Sequence, residues 1–173
     1  MSIEAVKQAI RDVPDFPQKG IIFKDITPVL NNPKLFKIVI DEFAARYQKS
    51  RIEKIAAVES RGFLLGSVLA YKLGAGLVPV RKKGKLPADT IEASYALEYG
   101  TATIEIHTDA VKKGERVLII DDLLATGGTA AATASMVKQL GGDIVEIAFL
   151  IELAFLKGRE KLSGYPVFAP IAY

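Results

Sequence analysis

The sequence contains no cysteine and a single histidine, and these shortages exclude several kinds of site. Without cysteine the protein can form no disulfide bond, thiolate metal site or cysteine nucleophile. The histidine, His107, lies in residues 101–108, where polar and apolar side chains alternate as in a strand. We therefore expect a surface or strand-edge position for it rather than a role as general base. A cysteine-free chain of this kind is expected in the cytoplasm.

Long apolar runs and a large net charge are also missing. No stretch approaches the roughly 20 apolar residues needed to span a bilayer, and the N-terminal segment, with Glu4 and Asp12, does not resemble a secretory signal. The formal net charge of +3 permits an anionic substrate but is small for a nucleic-acid-binding protein. With half of the 173 residues hydrophobic, residues 1–173 are expected to form one domain without a membrane or nucleic-acid partner.

Apolar runs and helical patterns alternate along most of the chain. Amphipathic helices are predicted at residues 2–11 and, with Asn32 as N-cap and Pro33 at the first position, from residue 33 to 47. Further along, strands are predicted at residues 54–58, 77–80, 116–120 and 144–151, and helices at residues 62–73 and 128–140. This β–α–β succession predicts an α/β fold with a parallel sheet and right-handed crossovers.

The region between the second and third of these strands has a different character. Residues 82–94 lack periodicity and contain glycine, proline and several charges, so they are predicted to be irregular. Residues 95–97 and 101–106 then alternate polar and apolar, which predicts a two-stranded ribbon. A long unpatterned segment inside a compact domain is often functional, and we expect this one to form a lid.

Residues 117–130 read VLIIDDLLATGGTA and are the most informative segment. A buried strand leads to Asp121 and Asp122, which we place at its carboxyl end, where open α/β sheets bind ligands. The small residues that follow can close main-chain N–H groups round an anion at a helix start; they are Ala125, Thr126, Gly127, Gly128 and Thr129. The loop lacks the lysine of a Walker A loop and the glycine spacing of a dinucleotide-binding fold. The segment therefore predicts a sugar-phosphate site, with phosphate on the loop and hydroxyls or a divalent metal on the carboxylates.

This segment resembles the 5-phosphoribosyl-1-pyrophosphate (PRPP) signature of type I phosphoribosyltransferases. Five further blocks resemble adenine phosphoribosyltransferases, in order and over essentially the whole chain: residues 20–28 (GIIFKDITP), 59–63 (ESRGF), 81–87 (RKKGKLP), 93–100 (ASYALEYG) and 156–161 (LKGREK). The resemblance implies a twisted parallel sheet flanked by helices, a small N-terminal hood at residues 1–30 and a flexible lid and β-ribbon at residues 81–107. It also implies a homodimer.

The same resemblance implies a reaction of purine salvage, in which adenine and PRPP give AMP and pyrophosphate with the help of Mg²⁺. Asp121 and Asp122 are then expected to hold the ribose hydroxyls, and the loop from Ala125 to Thr129 the 5-phosphate. Mg²⁺ usually keeps several waters and binds through substrate phosphates, so we expect no direct protein ligand for the metal.

Pyrophosphate requires positive charge, and the residues implied for it are Ser60, Arg61, Arg81, Lys82 and Lys85. Arg61 is also assigned to catalysis, and the family pattern implies a cis peptide bond between Glu59 and Ser60. The residues implied for adenine are Ile22, Phe23, Lys24 and Leu123, with Phe23 and Leu123 stacking on the ring. Glu98 is the implied proton partner near N7 of adenine, with Tyr99 beside it.

Two other functions remain open at this level. The first is a phosphoribosyltransferase for hypoxanthine, guanine or xanthine, which would share the PRPP signature. The second is a regulator that senses PRPP without catalysis. Residues 20–28 and the Leu-Glu-Tyr-Gly block favour adenine. The sequence shows no helix-turn-helix extension, which counts against a regulator.

Overall fold

The computed structural model describes residues 2–96 and 100–173. They form two compact units, of which the first ends at Ala45 and the second runs from Arg46 to Tyr173. No helix in the described part of the chain combines the length and hydropathy required to cross a bilayer.

The first unit contains helices and a short antiparallel ribbon. Its elements are α1 (Ile3–Ala9), β1 (Arg11–Pro14), β2 (Ile22–Asp25), α2 (Thr27–Leu30) and α3 (Pro33–Tyr47), whose last residues belong to the second unit. The predicted N-terminal helix is confirmed but ends at Ala9, because Ile10 is already extended. Asn32 caps α3 as predicted: its side-chain oxygen accepts hydrogen bonds from the main-chain N–H groups of Lys34 and Leu35, at 3.0 and 3.3 Å.

The ribbon of β1 and β2 was not predicted, because its sequence offers breakers and charges instead of an apolar pattern. Arg11 lies opposite Asp25, and Asp12 lies opposite Lys24. Both pairs are ionic, with 2.6 Å between Arg11 Nη2 and Asp25 Oδ2 and 2.6 Å between Lys24 Nζ and Asp12 Oδ1. Cross-strand charge pairs of this kind stabilise a ribbon without producing hydrophobic periodicity.

The second unit is an α/β structure built on an eight-stranded sheet. Its main elements are β3 (Lys54–Val58), α4 (Arg61–Leu73), β4 (Gly76–Lys82), β5 (Thr90–Ala96), β6 (Thr101–His107), β7 (Arg116–Leu124), α5 (Gly128–Gln139), β8 (Asp143–Glu152), β9 (Val167–Phe168) and β10 (Ile171–Ala172). The strand order is β10-β8-β7-β3-β4-β6-β5, with β9 paired to β8. The core strands are parallel, whereas β6 pairs antiparallel with both of its neighbours, β4 and β5. The predicted α/β fold is therefore confirmed.

Helices cover both faces of the central strands, which explains their continuous apolar runs. On one face α4 approaches β3 so closely that a Cβ added to Gly66 would lie 2.6 Å from the Cβ of Ala57. On the other face Met136 of α5 joins the buried cluster that includes Ala56 and Ile119. Helices α4 and α5 both start just beyond the carboxyl ends of strands, β3 and β7, so their N-termini face the same edge of the sheet.

Strand β5 corrects the prediction that residues 82–94 are irregular. It begins at Thr90 and pairs with β6 over seven residues, from Thr90 opposite His107 to Ala96 opposite Thr101. His107 therefore lies at the end of an interior strand rather than at an edge. The pairing comes from a distant segment, so the local pattern carries little sign of it. Residue 97, the last of the predicted first ribbon strand, lies outside the described residues.

Candidate functional site

The two aspartates of the sugar-phosphate motif lie within β7 rather than beyond its end, because β7 continues to Leu124. The strand stays paired with β8 as far as Leu124, opposite Glu152. The two carboxyl groups stay close to each other, because a side-chain hydrogen bond links them. Asp121 lines a cavity, whereas Asp122 pairs with Arg61, whose Nε lies 2.9 Å from Asp122 Oδ2.

Both carboxyl groups lie in surroundings that disfavour their charged form. Burial raises the pKa of Asp121 well above its ordinary value, and the neighbouring charge of Asp122 raises it further. Burial also raises the pKa of Asp122, although the Arg61 guanidinium opposes this effect. The main-chain N–H of Asp122 donates to Asp121 Oδ1 at 2.8 Å. A hydroxyl donor or a cation bound beside this pair would stabilise its negative charge, which the protein's own groups stabilise only in part.

The cavity lies where β7 gives way to α5 and has a volume of about 80 Å³. It brings together all five residues predicted to hold phosphate, and Asp121, Leu123 and Phe149 also line it. Helix α5, 12 residues long, begins at Gly128, so its first N–H groups and the positive end of its dipole lie at the cavity. We call residues 125–129 the phosphate loop, since this arrangement suits an anion.

Close packing determines the shape of the phosphate loop. Gly127 has a φ of +80°, a left-handed conformation, and a Cβ there would lie 2.4 Å from the carbonyl oxygen of Gly158. A Cβ on Gly158 would lie 2.3 Å from the carbonyl oxygen of Ala125. Gly128 meets the ring of Tyr95, whose Cδ2 would lie 2.9 Å from an added Cβ. Two segments remote in sequence therefore hold the loop, and only glycine allows them to approach.

The turn after β3 places Ser60 and Arg61 at the start of α4. The Glu59–Ser60 peptide bond is cis, as the resemblance implied. Ser60 is the N-cap residue and Arg61 is the first residue of α4. The next residue, Gly62, fits against β7, where its Cβ would lie 2.9 Å from the carbonyl oxygen of Ile120. This close contact between the start of α4 and the end of β7 delivers Arg61 to the aspartates.

Three of the residues predicted for pyrophosphate, two at the end of β4 and one after it, contact a single carboxylate, Glu59. Its Oε1 accepts a hydrogen bond from Lys85 Nζ at 2.6 Å, and its Oε2 accepts from the main-chain N–H of Lys82 at 3.1 Å. Arg81 Nε donates to Oε2 at 3.3 Å. Burial raises the pKa of Glu59, but these hydrogen bonds and the charge of Lys85 outweigh it and lower the pKa to about 2. Sequence analysis gave Glu59 no role, although its position directly after a buried strand was an available signal.

A second carboxylate, Glu105 of β6, lies beneath the same segment. Its Oε1 accepts hydrogen bonds from the main-chain N–H groups of Lys85 and Leu86, at 2.8 and 2.7 Å. Burial raises the pKa of Glu105, but main-chain hydrogen bonds from Gly84, Leu86 and Lys85 lower it overall. Glu105 is only 3% exposed, and strand alternation alone predicts the opposite, because its neighbours are apolar. We call residues 81–86, which these carboxylates hold, the basic segment.

The residues implied for adenine are divided between the two units. Ile22, Phe23 and Lys24 form most of β2 in the first unit, where Phe23 meets the edge of Phe16 with 5.1 Å between ring centroids. Leu123 belongs to β7 in the second unit and lines the cavity beside the phosphate loop. The implied proton partner and its neighbour, Glu98 and Tyr99, lie outside the described residues.

Comparison with known proteins identifies the family. A family model for the phosphoribosyl transferase domain matches residues 25–168. The chain is 56% identical over 171 residues to the adenine phosphoribosyltransferase of Geobacter metallireducens, an alignment that covers 99% of this chain and 100% of the relative. This chain belongs to the adenine phosphoribosyltransferase family.

Solved structures of adenine phosphoribosyltransferases share the fold over the same length. The enzyme of Thermoanaerobacter pseudethanolicus is 55% identical with a TM-score of 0.97, and the match covers 99% of this chain and 100% of that one. The enzyme of Saccharomyces cerevisiae, solved with adenine and an imino-altritol bisphosphate, is 45% identical with a TM-score of 0.92, covering 96% and 97% of the two chains. The type I phosphoribosyltransferase fold is thus confirmed, and the chain is a pentosyltransferase.

The family uses PRPP, and the donor atoms at the cavity suit the Mg²⁺ that was predicted with it. Asp121 presents carboxylate oxygen, the ligand type that Mg²⁺ prefers, and a nearby cation would stabilise its charged form. Among residues 2–96 and 100–173, no three His, Asp or Glu side chains cluster to hold a metal on their own.

Proposed function

We propose that this pentosyltransferase transfers the 5-phosphoribosyl group of PRPP to adenine and releases AMP and pyrophosphate, as a step of purine salvage. The observation that carries the proposal is the cavity where Asp121 and the whole phosphate loop meet at the N-terminus of α5. Sequence identity of 54–58% to several adenine phosphoribosyltransferases, over nearly the whole chain, supports adenine as the acceptor.

The phosphate loop binds the 5-phosphate of PRPP. Its main-chain N–H groups and the threonine hydroxyls of Thr126 and Thr129 supply the donors, and the α5 dipole adds favourable potential. The carboxylates of Asp121 and Asp122 accept hydrogen bonds from the ribose hydroxyls. Their negative charge also stabilises the oxocarbenium character that develops when the bond from C1 to pyrophosphate breaks. The phosphate loop thus fixes the sugar while the carboxylates respond to its changing charge.

Pyrophosphate is bound by Ser60 together with cations of the turn after β3 and of the basic segment; the cations are Arg61, Arg81, Lys82 and Lys85. Arg61 lies 2.9 Å from Asp122 and so links the leaving-group end to the ribose end. Mg²⁺, when bound, neutralises phosphate charge and orients the pyrophosphate group. Among the described residues, Asp121 is the one we expect to help hold it, through water or the ribose hydroxyls.

Adenine is bound by Ile22, Phe23, Lys24 and Leu123, with the ring against the apolar side chains and main-chain groups at its edge. Glu98, with Tyr99 beside it, serves as proton partner for N7. Glu98→Gln should lower kcat more than it weakens adenine binding, because it removes a proton-transfer interaction made in the transition state. Single-turnover kinetics with an adenine titration measures both, and an unchanged chemical rate would contradict the assignment.

The acceptor can be tested directly. Pyrophosphate release from PRPP should be fast with adenine and at least about 100-fold slower with hypoxanthine, guanine or xanthine, because a site built to hydrogen-bond one edge leaves polar groups unpaired with another. Turnover of hypoxanthine in preference to adenine would replace the proposal by the second acceptor class. PRPP binding without turnover of any base would indicate a regulator instead.

We also propose that the protein is a homodimer. Four large apolar side chains on and beside α4 are exposed: Leu64, Val68, Tyr71 and Leu77. Tyr71 is the most exposed of them, at 91%. On the helix they recur at i, i+4 and i+7 and so form one stripe, which makes this face a candidate for contact with a second copy. Tyr71→Lys should lower the mass measured by sedimentation, whereas Phe155→Lys, at a 71% exposed position elsewhere, should not. A cytoplasmic location remains a prediction from the cysteine-free composition.

A further inference from the structure

Glu59 joins the basic segment at the point where the pairing of β3 with β4 ends. The main-chain N–H of Glu59 donates to the carbonyl of Val80 at 2.9 Å, in the regular parallel pattern. The next bond of that pattern would run from the N–H of Lys82 to the main-chain carbonyl of Glu59. Lys82 donates instead to the Glu59 carboxylate, at 3.1 Å. The Glu59 carboxylate therefore takes the place of a main-chain carbonyl as acceptor in the hydrogen-bond pattern of the sheet, and this bond fixes its position.

The same carboxylate holds two cations that a ligand can reach. The Glu59 side chain is 11% exposed, whereas Lys85 is 46% and Arg81 32% exposed. Lys85 lies 2.6 Å and Arg81 3.3 Å from the carboxylate oxygens, and Arg81 also donates to the carbonyl of Lys85 at 3.0 Å. Both cations thus carry an anionic partner inside the protein while their outer surfaces face solvent.

We propose that Glu59 is an internal counter-anion that competes with pyrophosphate for Lys85 and Arg81 and thereby limits the affinity of the site for pyrophosphate. This inference rests on the proposed function, because it takes these cations to be pyrophosphate ligands. Glu59 is a positioning residue: it acts through the two cations rather than on the reacting atoms. After bond cleavage, Glu59 recovers the cations as pyrophosphate departs, which favours release.

The balance of charges makes such competition effective. A single carboxylate cannot outweigh a polyanion such as pyrophosphate, but it reduces the net gain when Lys85 changes partner. Because the pKa of Glu59 is about 2, the competition persists at every pH at which the enzyme would work. Lys83, also in the basic segment, pairs with a different and more exposed carboxylate, Glu92, at 2.8 Å. The Lys83–Glu92 pair therefore serves as a control for the Lys85–Glu59 pair.

The test is Glu59→Gln, which removes the charge but keeps an oxygen for the Lys82 N–H. Calorimetric titration of the full chain with magnesium pyrophosphate should show binding about three- to tenfold tighter than wild type, as expected for a charge-assisted pair between partly exposed groups. Glu92→Gln removes the same charge from the same segment and should change binding less than about twofold. Thermal melts establish that each variant is folded.

Lys85→Met separates this inference from the proposed function. It should weaken pyrophosphate binding, and adding Glu59→Gln to it should tighten binding by much less than in the wild-type background. If Lys85→Met weakens binding but Glu59→Gln leaves it unchanged or weaker, the counter-anion inference is overturned and the pyrophosphate assignment stands. If Lys85→Met has no effect, the assignment of Lys85 to pyrophosphate fails, and the inference with it.

A second variant keeps the test open if Glu59→Gln does not fold. Glu59→Asp retains the charge but shortens the reach to Lys85. It should also tighten pyrophosphate binding, but by a smaller factor than Glu59→Gln. A folded Glu59→Asp with wild-type affinity would also count against competition for Lys85.

Discussion

The phosphate loop and the basic segment are both suited to anions, yet they are built on opposite principles. The phosphate loop presents main-chain groups, contains no charged side chain and is shaped by glycines packed against Gly158 and Tyr95. The basic segment presents side-chain cations, and two carboxylates, Glu59 and Glu105, hold it from below. One region depends on steric fit, and the other depends on compensated charge.

The difference corresponds to the two ends of PRPP in the proposed reaction. The 5-phosphate stays attached to the sugar throughout, so a rigid cradle of neutral donors suits it. Pyrophosphate must be bound, must take up negative charge as the bond to C1 breaks, and must then leave. Cations that can return to a carboxylate of the protein suit these requirements. Four predictions test this contrast, in order of decreasing effect.

The largest effect is expected at the aspartates of β7, which precede the phosphate loop and contact Arg61. Replacing Asp121 and Asp122 together by Asn should lower kcat by about 1,000-fold, because it removes charge that stabilises the developing oxocarbenium ion. Steady-state assays with adenine and PRPP measure the rate, and circular dichroism checks the fold. Activity within tenfold of wild type would contradict the ribose role of the pair.

A methyl group in the phosphate loop should have the next largest effect. Gly127→Ala places a Cβ 2.4 Å from the Gly158 carbonyl oxygen, at a φ of +80°, so the loop must shift. The KM for PRPP should rise by about 10- to 100-fold, since small misplacements of a binding group are costly. Gly114→Ala is the matched control: its φ is +83° but nothing lies within 4 Å of the added Cβ. Equal losses in both variants would show that backbone strain, rather than fit to Gly158, is responsible.

Salt should distinguish the two regions without mutation. Raising KCl from about 0.05 to 0.5 M shortens the screening length several-fold. Pyrophosphate binding should weaken by about fivefold or more, since it depends on partly exposed cations. AMP binding, which depends on main-chain donors, should weaken less. Calorimetry with each ligand gives the two salt slopes, and equal slopes would remove the contrast.

The smallest effects concern stability, where two carboxylates beside these regions, Glu59 and Asp121, should respond with opposite sign. The folded-state pKa of Glu59 is lowered to about 2, so its pairing stabilises the fold above its unfolded pKa near 4.5 and ceases to do so as the pH falls to about 2. Glu59→Gln should therefore cost about 1 kcal/mol at pH 7, and this loss should vanish near pH 2.

Asp121 should behave in the reverse way. Its folded-state pKa is raised, so its charge destabilises the fold above that pKa, and protonation relieves the cost as the pH falls through it. Asp121→Asn should raise Tm at pH 7 and change it little in acid. Urea unfolding of both variants across pH measures the two effects. A stability loss in Asp121→Asn at neutral pH would contradict the burial argument.

Sequence analysis identified the strands and helices that are locally encoded. β3 was predicted with the bounds that the structure shows, because a buried strand between polar residues has a strong local signal. β7 was predicted too short, since the two aspartates interrupt its apolar run although Leu123 and Leu124 continue it. The ribbon in the first unit and the start of β5 were missed because charge pairs and distant partners support them.

The candidate site divides along the same line. The phosphate loop could be predicted, because it is contiguous and its glycines and threonines indicate an anion cradle. The contacts by which Glu59 and Glu105 hold the basic segment could not, because their partners there lie 19 to 26 positions away along the chain. Local patterns do not show which cations a carboxylate will meet.

The sequence by itself therefore determined the class of fold, the family and the anion-binding character of residues 125–129. These follow from composition, periodicity and contiguous motifs, which act over short distances along the chain. The tertiary structure alone decided that Gly158 and Tyr95 shape the phosphate loop, that Arg61 pairs with Asp122 and that Glu59 holds the basic segment. Each of these depends on close approach between segments far apart in sequence, which only the packing of the sheet and its helices brings about.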